Sequence, residues 1–331
     1  MAATSRLASY LPALLCAGCG GWQSALQPGG EQAGHLKVLI QLFTIVCGIV
    51  WLLVMLVLAA GLWRRHSGTP TGAAAERRSA RLVGAATAAS VLVIIGLTLA
   101  SYVATHGLAA AGADPLVIRV RGSQWWWEVT YMDPSPDRTF LTANEIHVPV
   151  GRPIRVELAA SDVIHSFWAP NLAGKQDLIP GRDNALSFTV DQPGLYREQC
   201  AEFCGLQHAH MAMLIVAEPA ASFDAWRDGQ IAEPPAPNDA EQAAGRLVFT
   251  GKACAACHTV RGTPAAGTLG PDLTHVGSRR TIAAGMLPTT RGSLAAWIAD
   301  PQTIKPGNNM PMVPLTADEL NALAAYLASL K

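Results

Sequence analysis

The sequence predicts a membrane-anchored protein in three parts: a hairpin of two transmembrane helices, an all-β sandwich, and an all-α domain. Three observations predict it. Two long uncharged runs come first, short alternating segments bounded by Pro, Gly, Asp or Asn follow, and apolar residues at three- and four-residue spacing close the chain. The 331 residues leave room for two domains of ordinary size beside the helices, and 50% of them are hydrophobic, an excess concentrated in the first two runs.

Leu36 to Trp63 is free of charge after Lys37, and Leu82 to Ala104 carries none. Each exceeds the roughly 20 residues needed to cross about 30 Å of hydrocarbon, and lipid offers no partner to open backbone groups, so both are expected as spanning helices. The loop between them holds Arg64, Arg65, Arg77, Arg78 and Arg81 against one acid, Glu76. A short arginine-rich loop stays in the cytoplasm, which places both termini outside. Ahead of the first span, Arg6 and an apolar stretch ending in C-A-G-C read residues 1–19 as a secretory, lipoprotein-type segment with Cys19 as acceptor, although Cys16 stands where such sites have Leu.

Net charge is zero, but residues 106–218 carry 8 basic and 13 acidic side chains. An acidic exported surface favours encounter with a basic partner such as a small soluble cytochrome, and no nucleic-acid partner is expected.

Within residues 115–218, at least seven short strands make a β-sandwich. Trp125, Trp126 and Trp127 alternate in one of them, so the first and third share a face. Residues 219–238, with I-A-E-P-P-A-P-N-D at their end, are expected as a linker. From 239 to 331 the pattern is helical over Ala240–Thr250, Ser293–Asp300 and Ala317–Leu330, with Ser293 and Thr316 as caps.

Two motifs carry chemistry. Between the last two strands, C-A-E-F-C-G-L-Q-H-A-H-M sets Cys200, Cys204, His208 and Met211 within twelve residues, a soft donor set that suits copper. A second cysteine lets two sulfurs bridge two metals where a blue-copper centre has one; a disulfide between Cys200 and Cys204 is the plain alternative. Cys254, Cys257 and His258 form C-A-A-C-H, the attachment pattern of c-type haem; composition alone would produce it about 0.004 times in this chain. Attachment occurs on the exported side, in agreement with the orientation read from the arginines.

The second span, the W-W-W segment and the cysteine loop together resemble subunit II of haem-copper cytochrome c oxidases, with a cytochrome c domain fused at the C-terminus as in caa-type oxidases; the resemblance runs from about residue 36 to the end. It implies a cupredoxin-like sandwich and a class I cytochrome c domain. It further implies a CuA centre of two copper ions held by Cys200, Cys204, His208, Met211, the Glu202 carbonyl and His165, which lies in D-V-I-H-S-F-W-A-P-N-L-A-G-K-Q-D-L-I-P-G. In the family the Glu202 carboxylate reaches a Mg²⁺ or Mn²⁺ ion shared with subunit I, the tryptophan matching Trp125 serves electron input, and a glutamate near Glu76 marks the mouth of a proton channel. For the haem domain it implies Pro271, in G-P-D-L, as acceptor for the haem histidine, and Met310, in N-N-M-P, as sixth ligand ahead of Met286 and Met312. Gly245, Phe249, Tyr326 and Leu327 match its crossing helix pair.

The function so implied is electron input to a bacterial terminal oxidase, from cytochrome c through haem c and CuA to the haem-copper site of subunit I, for O₂ reduction coupled to proton translocation. The chain would sit in the inner membrane with subunits I and III, its termini and both redox domains on the periplasmic face and a soluble or membrane cytochrome c as donor. Neither span holds the histidines of an oxygen-reducing site. The CuA subunit of a nitric oxide reductase and a copper-storage or assembly protein are the alternatives. His35, His66, His106, His147, His210 and His275 are read as solvated or core side chains.

Overall fold

A computed structural model describes residues 20–64, 72–106 and 112–331. Cys16, Cys19, Arg65 and His66 lie outside the described residues, and so does the lipoprotein-type segment.

The chain divides into two units. One holds two helices, α1 (Glu31–Arg64) and α2 (Ala73–His106), of 34 residues each, longer by a turn or more than the uncharged runs. At 1.5 Å per residue each reaches about 51 Å, enough to cross a bilayer and its headgroups. Leucines, valines and isoleucines lie exposed along both, a surface suited to hydrocarbon. The hydroxyls of Thr44, Ser90, Thr98 and Thr105 donate to carbonyls four residues back at 2.8–3.0 Å, which leaves no hydroxyl proton of theirs without an acceptor in lipid. Glu76 sits in the first turn of α2.

The second unit contains the β-sandwich and the helical domain. The sandwich has ten strands: β1 (Leu116–Ser123), β2 (Trp126–Tyr131), β3 (Phe140–Ala143), β4 (Glu145–Pro149), β5 (Pro153–Ala160), β6 (His165–Trp168), β7 (Gln176–Leu178), β8 (Asn184–Thr189), β9 (Gly194–Cys200) and β10 (Ala212–Glu218). They form two five-stranded sheets ordered β3-β2-β1-β5-β8 and β4-β10-β9-β6-β7. Alternation sends Ile118, Val120, Trp127, Val129, Ile154 and Val156 inward from the first sheet, where they meet Phe167, Leu178, Met213 and Ile215 from the second in one core. The chain changes sheets at Asn144, whose φ of 59° is left-handed and whose side chain accepts the Trp127 N–H at 2.8 Å.

Three features differ from the sequence reading. Trp125 lies in the turn before β2 rather than in the strand, and both it and Trp127 are buried. The expected linker begins with a helix, α3 (Ala220–Ile231), because Phe223 enters the sandwich core and Trp226 packs on it. Residues 20–32 form a strap on the sandwich: Asn171 Nδ2 donates to the carbonyls of Ser24 and Gln27 at 2.9 and 2.8 Å, Gly29 N donates to Asn171 O, and Thr189 N donates to Gln32 Oε1.

In the helical domain, α4 (Ala240–Gly251) crosses the last helix, α8 (Ala317–Ser329), at Gly245. A Cβ there would lie 2.7 Å from the Tyr326 Cβ, so only glycine allows this approach. Between them lie α5 (Cys254–Cys257), α6 (Arg291–Ala299) and α7 (Pro301–Ile304). Thr316 and Glu319 form a reciprocal capping box on α8, as read, whereas α6 is capped by Thr290, which accepts from Ser293 N.

Candidate metal and haem centres

β9 ends at Cys200 and β10 starts at Ala212, so the sheet fixes both ends of the intervening loop. Cys200 Sγ and Cys204 Sγ lie 3.7 Å apart as free thiols, well beyond the ~2.05 Å of a disulfide. His165, from the start of β6, brings Nδ1 to 3.9 Å from Cys200 Sγ; His208 Nδ1 is 3.6 Å and Met211 Sδ 3.9 Å from Cys204 Sγ. The Glu202 carbonyl lies 3.2 Å from Cys200 Sγ. The structure therefore gathers all six donors named from the sequence around the sulfur pair. Cys200, Cys204, His165 and Met211 are buried, so water is largely excluded.

Electrostatics suit this donor set to a soft cation. Hydrogen bonding with Cys204 pulls the Cys200 thiol down to about 3, while Cys204 is pushed up and keeps the shared proton. One thiolate is thus present before any metal arrives. Asp162 Oδ1 lies 2.9 Å from His165 Nε2, which leaves Nδ1 directed at the sulfurs. Burial alone would raise the Asp162 carboxyl, but the N–H groups of Gln124 and Val163 and the His165 ring outweigh it and hold it below its usual range. Burial alone would lower His165, and Cys200 and Asp162 outweigh that and raise it. Thiolate, imidazole and thioether together match copper better than a hard ion.

Around the loop, Trp125 is only 8% exposed, and its indole N–H donates to the Cys204 carbonyl at 2.8 Å. The Glu202 carboxylate is partly exposed, 3.4 Å from Lys175 Nζ, which also pairs with Asp177 at 3.7 Å.

In the helical domain, α5 presents two half-buried free cysteines, Cys254 and Cys257, directly before His258. His258 Nδ1 donates to Pro271 O at 2.8 Å. A Cβ on Gly270 would come within 2.8 Å of that same nitrogen, so the glycine leaves the ring its seat. Burial lowers the His258 pKa, against the Pro271 bond, which keeps the imidazole neutral with Nε2 free to bind iron. These residues fit a covalently held haem. Met310 packs against the domain core, and its loop is held by Asn308 and Gln302. Met312 is 60% exposed, and Met286 stands in the turn between Thr281–Ile282 and Leu287–Pro288.

Sequence reasoning missed two residues and the partners of a third. His147 is a core side chain, as read, but with charged partners the sequence did not announce: its ring lies 2.8 Å from Glu218 and 3.1 Å from Glu145 and stacks on Trp226. Gln124 joins Trp125 on the Cys204 carbonyl at 2.7 Å. Lys305 is buried, a state that a lone lysine beside a Pro-Gly pair does not announce. His275 is a core side chain, as read, between the carbonyls of Lys331 and Ala232.

Residues 134–218 match the family model described as cytochrome c oxidase subunit II, periplasmic domain, and residues 242–331 match that of cytochrome c. A cytochrome c oxidase subunit 2 of Alkalihalophilus pseudofirmus is 34% identical over 331 residues, covering 96% of this chain and 94% of its own length. The chain belongs to the cytochrome c oxidase subunit II family. The subunit 2 of Bacillus sp. strain PS3 is similarly related, at 33% identity over 96% of this chain and 95% of its own. A crystal structure of the periplasmic domain of subunit II from Bradyrhizobium japonicum is 32% identical, covers 37% of this chain and 96% of that one, and superposes with a TM-score of 0.34. As a subunit II, this chain is part of a haem-copper oxidase complex, with a copper-binding sandwich and a haem c domain.

Proposed function

We propose that this subunit II receives electrons for a terminal cytochrome c oxidase that reduces O₂ and translocates protons. The convergence of three side chains and one carbonyl on two sulfurs 3.7 Å apart carries the reading. When bound, haem c and a pair of copper ions supply two one-electron carriers between an external cytochrome c and the haem-copper site of subunit I.

Cys254 and Cys257 would attach the haem, His258 and Met310 would hold its iron, and Pro271 orients His258 through the 2.8 Å bond. Met/His ligation raises the haem potential into the range for oxidase donors. Cys200, Cys204, His165, His208, Met211 and the Glu202 carbonyl would hold the copper, their donor atoms already gathered around the two sulfurs. A rigid sheet at both ends of the loop limits rearrangement on reduction. The partly exposed Glu202 carboxylate would leave Lys175 to help hold a Mg²⁺ or Mn²⁺ ion shared with subunit I, oxygen being the donor such ions prefer.

α1 and α2 anchor the chain in the inner membrane beside subunits I and III. The arginine-rich loop between the spans supports the orientation, with both termini and both redox domains on the periplasmic face. The sandwich begins near 115 and the haem domain occupies 239–331.

Purification of the native complex tests this reading. It should contain subunits I and III, show haem c and a near-infrared copper band, and consume O₂ with reduced cytochrome c as donor. Consumption of NO instead of O₂ would assign the chain to a nitric oxide reductase.

A further inference from the structure

The haem-bearing domain meets the copper loop through one buried ammonium group. Lys305 is 2% exposed, and its Nζ donates to the carbonyls of Trp125 at 2.7 Å, His210 at 2.8 Å and Ala283 at 3.1 Å. A lysine has three N–H donors, and here all three are used. Among the described residues no carboxylate pairs with it. Leaving a charge buried on carbonyls alone is costly, and breaking such a set is more costly still.

The lysine's position gives the contact a direction. Lys305 follows α7 and begins the loop that leads to Met310; Asn308 ties that loop together by donating to the Lys305 carbonyl at 2.7 Å and Met310 N donates to Asn308 Oδ1. Two of its three acceptors, Trp125 and His210, belong to the sandwich and flank the copper loop. The same seam carries Gln207 Nε2 donating to Pro306 O at 2.8 Å, and a Cβ on Gly307 would lie 3.6 Å from the Trp125 ring. This chain's own haem domain therefore reaches the Trp125 ring, of which little is left exposed.

We propose that Lys305 is a positioning residue for internal electron transfer, fastening the Met310 loop over Trp125 so that Trp125 joins the two redox domains of one chain while the external donor docks on the haem domain. The inference rests on the function proposed above. It assigns Lys305 no contact with either metal; the residue acts through Trp125 and the loop.

In the purified oxidase, a photoexcited ruthenium complex can inject one electron into haem c. Its departure is followed in the haem absorption, and its arrival in the near-infrared copper band. In Lys305→Met, with both bands at wild-type intensity, internal transfer should slow several-fold, because the Met310 loop is no longer fastened over Trp125. Transfer should also become sensitive to glycerol viscosity, because docking then limits it, whereas wild type should be insensitive. Reduction of haem c by external cytochrome c should be unchanged. Gln207→Leu removes one bond of the same seam and should give a smaller slowing of the same kind, which keeps the test open if Lys305→Met fails to mature. Wild-type, viscosity-independent transfer in whichever variant matures overturns the proposal. Absence of the copper band from wild-type protein would overturn the underlying function instead.

Discussion

Trp125 hands its indole N–H to the carbonyl of Cys204 across 2.8 Å, so a large aromatic ring is joined by one hydrogen bond to the backbone of a proposed copper ligand. Gln124 Nε2 shares that carbonyl at 2.7 Å, and the bond is buried. Trp125→Phe keeps the packing and removes the N–H. Copper should remain bound, because Gln124 still satisfies the carbonyl, while haem-to-copper transfer should slow by an order of magnitude or more. Flash-initiated kinetics read the rate, and the near-infrared band reports copper retention.

Asp162 orients His165 without touching the sulfurs. Asp162→Asn should lower copper affinity about 10- to 100-fold, the usual cost of losing a partner that orients a metal-binding histidine. Competition with a graded series of chelators measures the shift. An unchanged affinity would make Asp162 a simple loop brace for Gln124 and Val163.

Glu198 gives the sandwich a pH dependence. It is fully buried on β9, and neither carboxyl oxygen has a hydrogen-bond partner among the described residues. Burial raises its pKa well above the usual carboxylate range, with Cys200 acting in the same direction. The folded state therefore keeps the proton that the unfolded chain releases above about 4.5. Its contribution is full below that pH and is lost as pH rises toward the folded value. Glu198→Gln should remove this loss and stabilise the sandwich relative to wild type at pH 9, because the amide never has to be buried as a charge. Thermal loss of the copper band at pH 6 and pH 9 makes the comparison: the wild-type midpoint should fall with pH, and the variant's should not.

Gly245 sets the helix crossing of the haem domain. Gly245→Ala should separate α4 from α8 and destabilise the domain by about 1–3 kcal/mol, as overpacking does, despite alanine's better helix propensity. Denaturant unfolding followed by haem absorption gives the value.

Much of this was legible in the residues because the signals are local. Uncharged runs mark α1 and α2, alternation marks β1, β2 and β5, and both cofactor motifs are contiguous except for His165, which the family resemblance supplied. β3, β6 and β7 were not legible: at three or four residues they are too short for alternation to register, and pairing with distant strands makes them. α3 hid beside a proline-rich stretch because Phe223 becomes a core residue only once the sandwich exists. Lys305 was invisible for the same reason, since its three acceptors come from positions 125, 210 and 283 and converge only in the folded chain. Local pattern reports propensity, and these features are decided by tertiary contact.

Electron paramagnetic resonance of the oxidised, matured subunit decides whether Cys200 and Cys204 hold a pair of coppers. One unpaired electron shared equally by two copper nuclei should give its hyperfine pattern, lost in Cys204→Ser. A pattern from a single copper nucleus in the wild-type protein, or no copper signal with haem c fully attached, would contradict that pairing.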